Sequence, residues 1–296
     1  MLKLYSPLRY PGGKSKVVNK ILKYLPNEFK EYREPFVGGG SVFLKIIQRY
    51  NNKVIKINDL NEDLYCFWKE LKNDPVKLYE EIKYLKHTYT SGYSLYQHCK
   101  NNMIDNDFKK AVRYYILNRI TFSGTVDSGG YSENSYKYRF TDNIINRIKS
   151  FINILEKVDI TCTDYKEVIK QNGKDVIIYL DPPYINNKYS KLYGDKGHLH
   201  KYFNHEEFIR EIKNNEHKWI LTIDNNQIVI NAFKDRNKYN VYPLVMQYGM
   251  DNAKGNDPKK IKELIITNFL PFKLIRKIRK ELLYPMQFKL IPVKNV

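Results

Sequence analysis

Three cysteines, Cys66, Cys99 and Cys162, are all that 296 residues contain, and no two of them form a CxxC pair. That scarcity excludes a disulfide framework and a zinc site built on paired thiols, leaving ordinary reduced thiols. Long apolar runs are also missing. None approaches the roughly 20 residues needed to cross a bilayer, and the start, Met1-Leu2-Lys3-Leu4-Tyr5-Ser6-Pro7, has no apolar core of a secretory signal. The expectation is an aqueous protein working inside a cell, in the cytoplasm or on the nucleoid, or of viral origin, with no membrane partner. Acidic residues are in deficit, 32 Asp and Glu against 51 Lys and Arg, for a formal net charge of +19. A surplus of this size favours a polyanion, because Lys and Arg that neutralise phosphates release condensed counterions. Nucleic acid is the expected partner class. No GxSxG elbow is present, so Ser/His/Asp catalysis has no support.

What the chain does have is a series of short, apolar, β-branched runs at 32–36, 54–58, 159–163, 176–181, 219–224, 241–248 and 263–269. Helical patterns at 40–50, 206–213 and 226–234 separate several of them, which predicts βαβ units and a largely parallel sheet. No convincing helix lies between the last two runs, so they are expected to form an antiparallel hairpin at one edge. The stretch 64–142 breaks the alternation, with helical patterns at 75–87 and 107–119 followed by a Gly/Ser/Tyr-rich loop at 123–138. It reads as an inserted domain, leaving 1–63 and 143–296 as the main one.

Four motifs carry chemistry. Glu34-Pro35-Phe36-Val37-Gly38-Gly39-Gly40-Ser41 takes a strand through a glycine turn into a helix, but Phe43 breaks the GxGxxG spacing that a dinucleotide would require. The next strand ends at Asn58-Asp59, where an acid can accept hydrogen bonds from both ribose hydroxyls of an adenosine-bearing cofactor. Tyr10-Pro11-Gly12-Gly13-Lys14-Ser15 ends like a P-loop, yet Leu8 occupies the position where that motif needs glycine, and a P-loop is excluded. Last, the buried run 176–180 stops at Asp181-Pro182-Pro183-Tyr184, a combination expected by chance in only about one chain in a hundred of this length. Two prolines stiffen the backbone and contribute no N–H, so carbonyl oxygens can project into a cleft as acceptors. Asp181 and the Pro182 carbonyl can then hold the two N–H bonds of an amine nucleophile, with Tyr184 as a stacking face for a base taken out of the duplex.

Taken together, these motifs resemble the Dam-type, D12-class, α-group family of DNA adenine-N6 methyltransferases, and Lys262-Glu263-Leu264-Ile265-Ile266-Thr267-Asn268 is similar to that family's last strand. The resemblance spans residues 5 to 269. It implies a class I S-adenosylmethionine-dependent methyltransferase fold, an α/β sheet of seven strands with an inserted, mainly helical target-recognition domain. It further implies direct methyl transfer from S-adenosylmethionine to adenine N6 in double-stranded DNA, with a restriction endonuclease as a candidate partner. The expected cofactor set is Tyr10, Lys14, Phe36, Gly38, Gly40, Asp59, Asp164 and Asp181; the expected catalytic set is Asp181, Pro182, Pro183 and Tyr184.

For DNA recognition the expected residues are Arg9, Arg119, Phe122, Ser123, Tyr138 and Arg139. Asn118-Arg119-Ile120-Thr121-Phe122-Ser123-Gly124 is similar to the family's Asn-Arg-x-x-Phe-Asn-Gly element, whereas 125–131 departs from the Dam pattern, so the GATC target is not carried over. Tyr10 stands where Dam itself has tryptophan. N4-cytosine methylation uses the same amine chemistry and is the nearest alternative, although that class more often begins its tetrapeptide with serine. A catalytically silent DNA-binding relative is the alternative of another kind. His198, His200 and His205 lack a completing Cys or acid, so no metal is expected there and a lid or DNA contact is the better reading.

Overall fold

The computed structural model describes residues 4–50, 52–102, 105–185, 203–244 and 263–272. Seven strands form one sheet: β1 (Glu31–Glu34), β2 (Val54–Asn58), β3 (Val158–Thr161), β4 (Val176–Leu180), β5 (Lys218–Asp224), β6 (Asn240–Leu244) and β7 (Glu263–Thr267). Their order is β3-β2-β1-β4-β5-β7-β6. The first five are parallel, and β7 runs antiparallel between β5 and β6. The expected antiparallel pair is thus present, with its second strand inserted inside the first. β1 ends at Glu34 because Pro35 brings no N–H to the ladder. The run expected at 241–248 is a strand up to Leu244, and its remainder lies outside the described residues.

Both faces of the sheet are covered, which is why β4 is apolar at every position, Val-Ile-Ile-Tyr-Leu, with each residue buried. Side chains alternate. Tyr32, Ile177, Tyr179, Ile220 and Ile265 join one cluster, and Ile178, Leu180, Trp219, Leu221 and Ile266 join the other. The second face is capped by α10 (His205–Lys213) and α11 (Gln227–Ala232), through Phe208, Ile212 and Val229. α10 starts where Asn204 accepts the Glu207 amide at 3.0 Å, and two glutamates occupy its first turn, where they suit the positive end of the helix dipole.

The other face carries α1 (Val18–Ile21), α2 (Ser41–Arg49) and a helical group: α3 (Glu62–Asn73), α4 (Pro75–Thr88), α5 (Gly92–Asn102), α6 (Asp107–Ile120), α7 (Glu133–Arg139) and α8 (Asp142–Ile145). α6 is its axis and is buried on all sides from Tyr114 to Ile120. Ion pairs align it with α3: Lys110 with Glu62 at 2.6 Å, Lys69 with Asp107 at 3.0 Å, and Arg113 with Asp63. The residues of this group belong to the same apolar cluster as the sheet face beneath them.

β1 and β4 are neighbours, yet the chain leaves β1 toward β2 on one side and β4 toward β5 on the other. Such a switch point opens a crevice outside the carboxyl ends of the two strands, the usual place for a ligand in this kind of sheet. Pro35–Gly40 and Asp181–Tyr184 both emerge there.

Candidate active site

Beyond β1 the chain turns through Gly38 (φ 47°) and Gly40 (φ 70°) into α2. Both angles lie in the left-handed region where a side chain is strained. Space is short as well. A Cβ on Gly38 would stand 2.7 Å from Cε1 of Tyr10, and one on Gly40 would stand 2.7 Å from Cζ2 of Trp68. Trp68 also donates its indole N–H to the Gly38 carbonyl at 3.1 Å. The turn is therefore glycine-rich because the chain's own aromatics lie against it, with Tyr10 on its cavity side.

The ends of β1, β2 and β3 are joined by one buried side chain. Asn58 donates to the carbonyls of Pro35 and Thr163, each at 3.0 Å, and its Oδ1 accepts from the Thr161 hydroxyl at 2.8 Å and the Thr163 amide at 2.9 Å. Asp59 follows. Its carboxylate accepts the Gly38 amide at 2.9 Å and the Asn61 amide at 3.1 Å. Burial raises its pKa from an ordinary 3.8 to about 6, against the pull of these amides. Asp164 caps α9 (Tyr165–Lys170) by accepting the Lys166 amide at 2.8 Å. A group of aromatics, Phe36, Tyr165 and Phe203, stands beside it with ring centroids 5.4 to 5.8 Å apart.

On the other side of the crevice, Asp181 directly follows β4. Its Oδ1 meets Lys14 Nζ at 2.8 Å and the Thr222 hydroxyl at 2.8 Å. Lys14 is 3% exposed, also donates to the Gly12 carbonyl at 3.0 Å, and lies 5.0 Å from the centre of the Tyr184 ring. The rest of the loop is anchored from β5 and α10: the Ile185 amide donates to Asp224 at 3.0 Å, and His205 Nε2 lies 2.8 Å from the Pro183 carbonyl. Two further buried acids face the same space, Glu34 from β1 and Glu263 from β7. Burial pushes the Glu34 carboxyl well above the usual range, opposed by the hydroxyl that Tyr32 donates to it and reinforced by Asp181 nearby. Burial likewise pushes Tyr184 and Tyr179 well above the ordinary phenol value, helped by the Asp181 charge.

The glycine turn, Asp59, Asp164, Lys14, Glu34, Glu263 and the Asp181–Tyr184 loop line one cavity of about 540 Å³, within the range of small-molecule sites. The structure brings together Tyr10, Lys14, Phe36, Gly38, Gly40, Asp59, Asp164 and the whole Asp181–Tyr184 loop on its wall. The residues expected to read DNA divide into two groups. Phe122, Ser123, Tyr138 and Arg139 are exposed, Phe122 by 62% and Tyr138 by 70%, and Ser123 takes a left-handed φ of 53°. Arg119 is buried and donates to the Pro7 carbonyl. Arg9 donates to the Arg119 and Thr121 carbonyls, both at 3.3 Å. Beside them Asn118 grips the Arg9 backbone from both sides, accepting its amide at 2.8 Å and donating to its carbonyl at 2.6 Å. Arg9 and Arg119 thus join α6 to the segment that carries Tyr10 and Lys14. His198 and His200 lie outside the described residues, and among the described residues no three His, Cys, Asp or Glu side chains are grouped as for a metal ion. Nor, among them, is any helix long and apolar enough to cross a membrane.

Sequence reasoning missed Asn58 as a hub, Thr222, His205 as an anchor of the Pro183 carbonyl, and the acids Glu34 and Glu263. One signal was available: Glu263 is a lone acid at the start of the apolar strand Glu-Leu-Ile-Ile-Thr, and a buried acid at a strand end calls for a partner or a ligand.

The sequence profile of D12 class N6 adenine-specific DNA methyltransferases matches residues 10–250. The chain is 29% identical over 289 residues to the type II methyltransferase M.MjaIII of Methanocaldococcus jannaschii, covering 88% of this chain and 98% of that one. It is 30% identical over 185 residues to the DNA adenine methylase of Vibrio cholerae, covering 60% and 64%. Against the DNA N-6-adenine-methyltransferase of Escherichia phage P1 the identity is 30% over 184 residues, 60% of this chain and 24% of that longer one. The matched span runs from Tyr10 through the glycine turn, Asp59 and Asp181, the residues that meet in the cavity, and the chain belongs to the D12 class N6 adenine-specific DNA methyltransferase family.

Proposed function

We propose that this chain methylates N6 of adenine within a short duplex DNA sequence, with S-adenosylmethionine as donor and Asp181 as the acceptor that aims the amine. The observation that carries the reading is the position of Asp181. Its Oδ1 is held by Lys14 and Thr222 at the wall of a cavity that also contains the Asp59 turn. When bound, S-adenosylmethionine supplies an electrophilic methyl group on a cationic sulfur. The cavity suits such a molecule: Asp59 offers a carboxylate for a ribose diol, Phe36 and Tyr165 an apolar wall for an adenine ring, and Glu34, Asp181 and Glu263 a set of acids suited to a cation.

Asp181 and the Pro182 carbonyl accept the two N–H bonds of the target amine, which leaves its lone pair directed at the methyl carbon. The Asp181 carboxylate would stabilise the positive charge that N6 acquires on taking up a methyl group, and would hold the surplus N–H proton until it passes to water. Tyr184 supports the extruded base. No side chain forms a covalent bond to substrate, and positioning supplies the acceleration, on the order of 7–11 kcal/mol in favourable cases. Recognition of the sequence belongs to 64–142 as a target-recognition domain on a catalytic domain of 1–63 and 143–296, with Phe122, Ser123, Tyr138 and Arg139 on its exposed face and Arg9 and Arg119 fixing that face to the cavity. The test is mass analysis of nucleosides from duplex DNA incubated with the chain and isotopically labelled S-adenosylmethionine. Labelled N6-methyladenine is expected; label in N4-methylcytosine overturns the reading.

A further inference from the structure

We propose that Thr222, backed by Tyr179, is a positioning residue that locks the carboxylate of Asp181 and reserves its second oxygen for the target amine. This rests on the reading of Asp181 given above. Thr222 lies on β5 and is fully buried, as is Tyr179 on β4 to within 1%. The two strands are parallel and in register at Leu180↔Leu221, so position 222 faces position 181 across the pair. Thr222 does not line the cavity, and its effect on substrate must pass through Asp181.

The direction of the hydrogen bonds follows from counting protons. Thr222 has one hydroxyl hydrogen and two acceptors in reach, Asp181 Oδ1 at 2.8 Å and the Leu180 carbonyl at 3.4 Å. The nearer, charged acceptor takes it. The Tyr179 hydroxyl, 2.8 Å from Thr222 Oγ1, must then be the donor in that pair. The result is a one-way chain from Tyr179 to Thr222 to Asp181 Oδ1, in which each donor polarises the next. A buried phenol whose pKa is driven upward by burial and by the Asp181 charge keeps the proton this chain needs. Lys14 meets the same oxygen from a different part of the chain. Both donors therefore converge on Oδ1, and among the described residues Oδ2 receives none. That asymmetry fixes the carboxylate's rotation, so the free oxygen presents a fixed lone pair to an incoming N–H.

The experiment measures kcat and the S-adenosylmethionine and DNA dissociation constants for Thr222→Val, Thr222→Ser, Tyr179→Phe and Asp181→Ala. Thr222→Val keeps shape and strand preference but has no donor, and kcat is expected to fall about tenfold or more, as for one charge-assisted hydrogen bond lost, with both dissociation constants within threefold of wild type. Thr222→Ser restores the hydroxyl and should recover most of kcat, which a packing role would not produce. Tyr179→Phe, which leaves the Thr222 donor in place, should give a smaller loss of the same kind and serves as the test if the valine variant does not fold; wild-type kcat there overturns the proposal. A Thr222→Val enzyme with wild-type kcat beside an inactive Asp181→Ala enzyme overturns the positioning role and leaves the Asp181 reading standing. Equal losses in the valine and serine variants also overturn it. An active Asp181→Ala enzyme removes the reading beneath.

Discussion

The two walls of the cavity are finished by different kinds of group. On the β1-β2-β3 side the two residues at the end of β2 are met mainly by backbone: Asp59 takes the amides of Gly38 and Asn61, and Asn58 ties the carbonyls of Pro35 and Thr163. On the β4-β5 side Asp181 is met by side chains, with Lys14 and Thr222 on its Oδ1 and Tyr179 behind Thr222. Backbone donors are fixed by the fold and cost no reorganisation, which suits a surface that must bind one cofactor the same way each time. Side-chain donors gathered on one carboxylate oxygen leave the other open, which suits the role proposed for Asp181 as acceptor of an incoming amine. Under the proposed roles, substitutions on the two walls should have separable effects.

The strongest break is Asp181→Ala. It should lower kcat by about 10² to 10³, the usual loss for one preorganised group facing developing charge, while cofactor affinity falls by far less, because Asp59 and the glycine turn stay intact and Glu34 and Glu263 still line the cavity. Single-turnover kinetics with saturating DNA and cofactor measures it; turnover within threefold of wild type would show that the reacting wall lies elsewhere. Asn58→Ala attacks the other wall through the fold. It strands the Pro35 and Thr163 carbonyls and the Thr163 amide, and should cost about 3 kcal/mol of stability from partners left unsatisfied. Denaturant unfolding reads that loss, and an unchanged midpoint would mean that water replaces the side chain.

A sharper contrast comes from pH. The Asp59 carboxyl is raised to about 6 by burial, so its charge is a burden on the unliganded protein and an asset to a ribose diol. Because the folded value lies above the ordinary 3.8, the stability this group contributes is complete below pH 3.8 and is lost as pH rises through 6. Cofactor affinity runs the other way. It should be full above pH 7 and fall roughly tenfold by pH 5, where most of the group is protonated before binding. Calorimetry at pH 8 and pH 5 tests this, and Asp59→Asn should flatten the difference.

Parts of this architecture were legible because the local sequence forces them. Asp181-Pro182-Pro183-Tyr184 cannot continue a strand, so a buried apolar run must end there and present its carbonyls; Asp59 sits one residue beyond an apolar strand and can only be at its end. Gly38 and Gly40 were legible as a turn, but the reason for them was not, since Tyr10 and Trp68 lie about 30 residues away in either direction along the chain. Thr222 was hidden because its meaning depends on the register of β5 against β4, which no local pattern encodes. Arg119 was expected to read DNA because it falls in the 118–124 element that is similar to the family's Asn-Arg-x-x-Phe-Asn-Gly. In fact it ends a helix buried on all sides, where only a partner such as the Pro7 carbonyl makes the residue tolerable.

That last contrast sets the mildest break, inside the helical group itself. Arg139 is exposed at the end of α7, and Arg119 is buried at the end of α6. If the exposed face meets DNA, Arg139→Ala should weaken binding only a few-fold, lower the salt dependence of binding by about one unit of slope, and leave the melting temperature unchanged, as expected for one lost phosphate contact. A relaxed sequence preference instead would identify Arg139 as a base reader. Arg119→Ala serves as the internal control, because removing an inward-facing donor must appear in stability before it appears in DNA affinity. Filter binding at several salt concentrations beside thermal melting separates the two. If Arg139→Ala leaves both the affinity and the slope unchanged, the exposed face that carries Phe122, Ser123 and Tyr138 does not meet DNA.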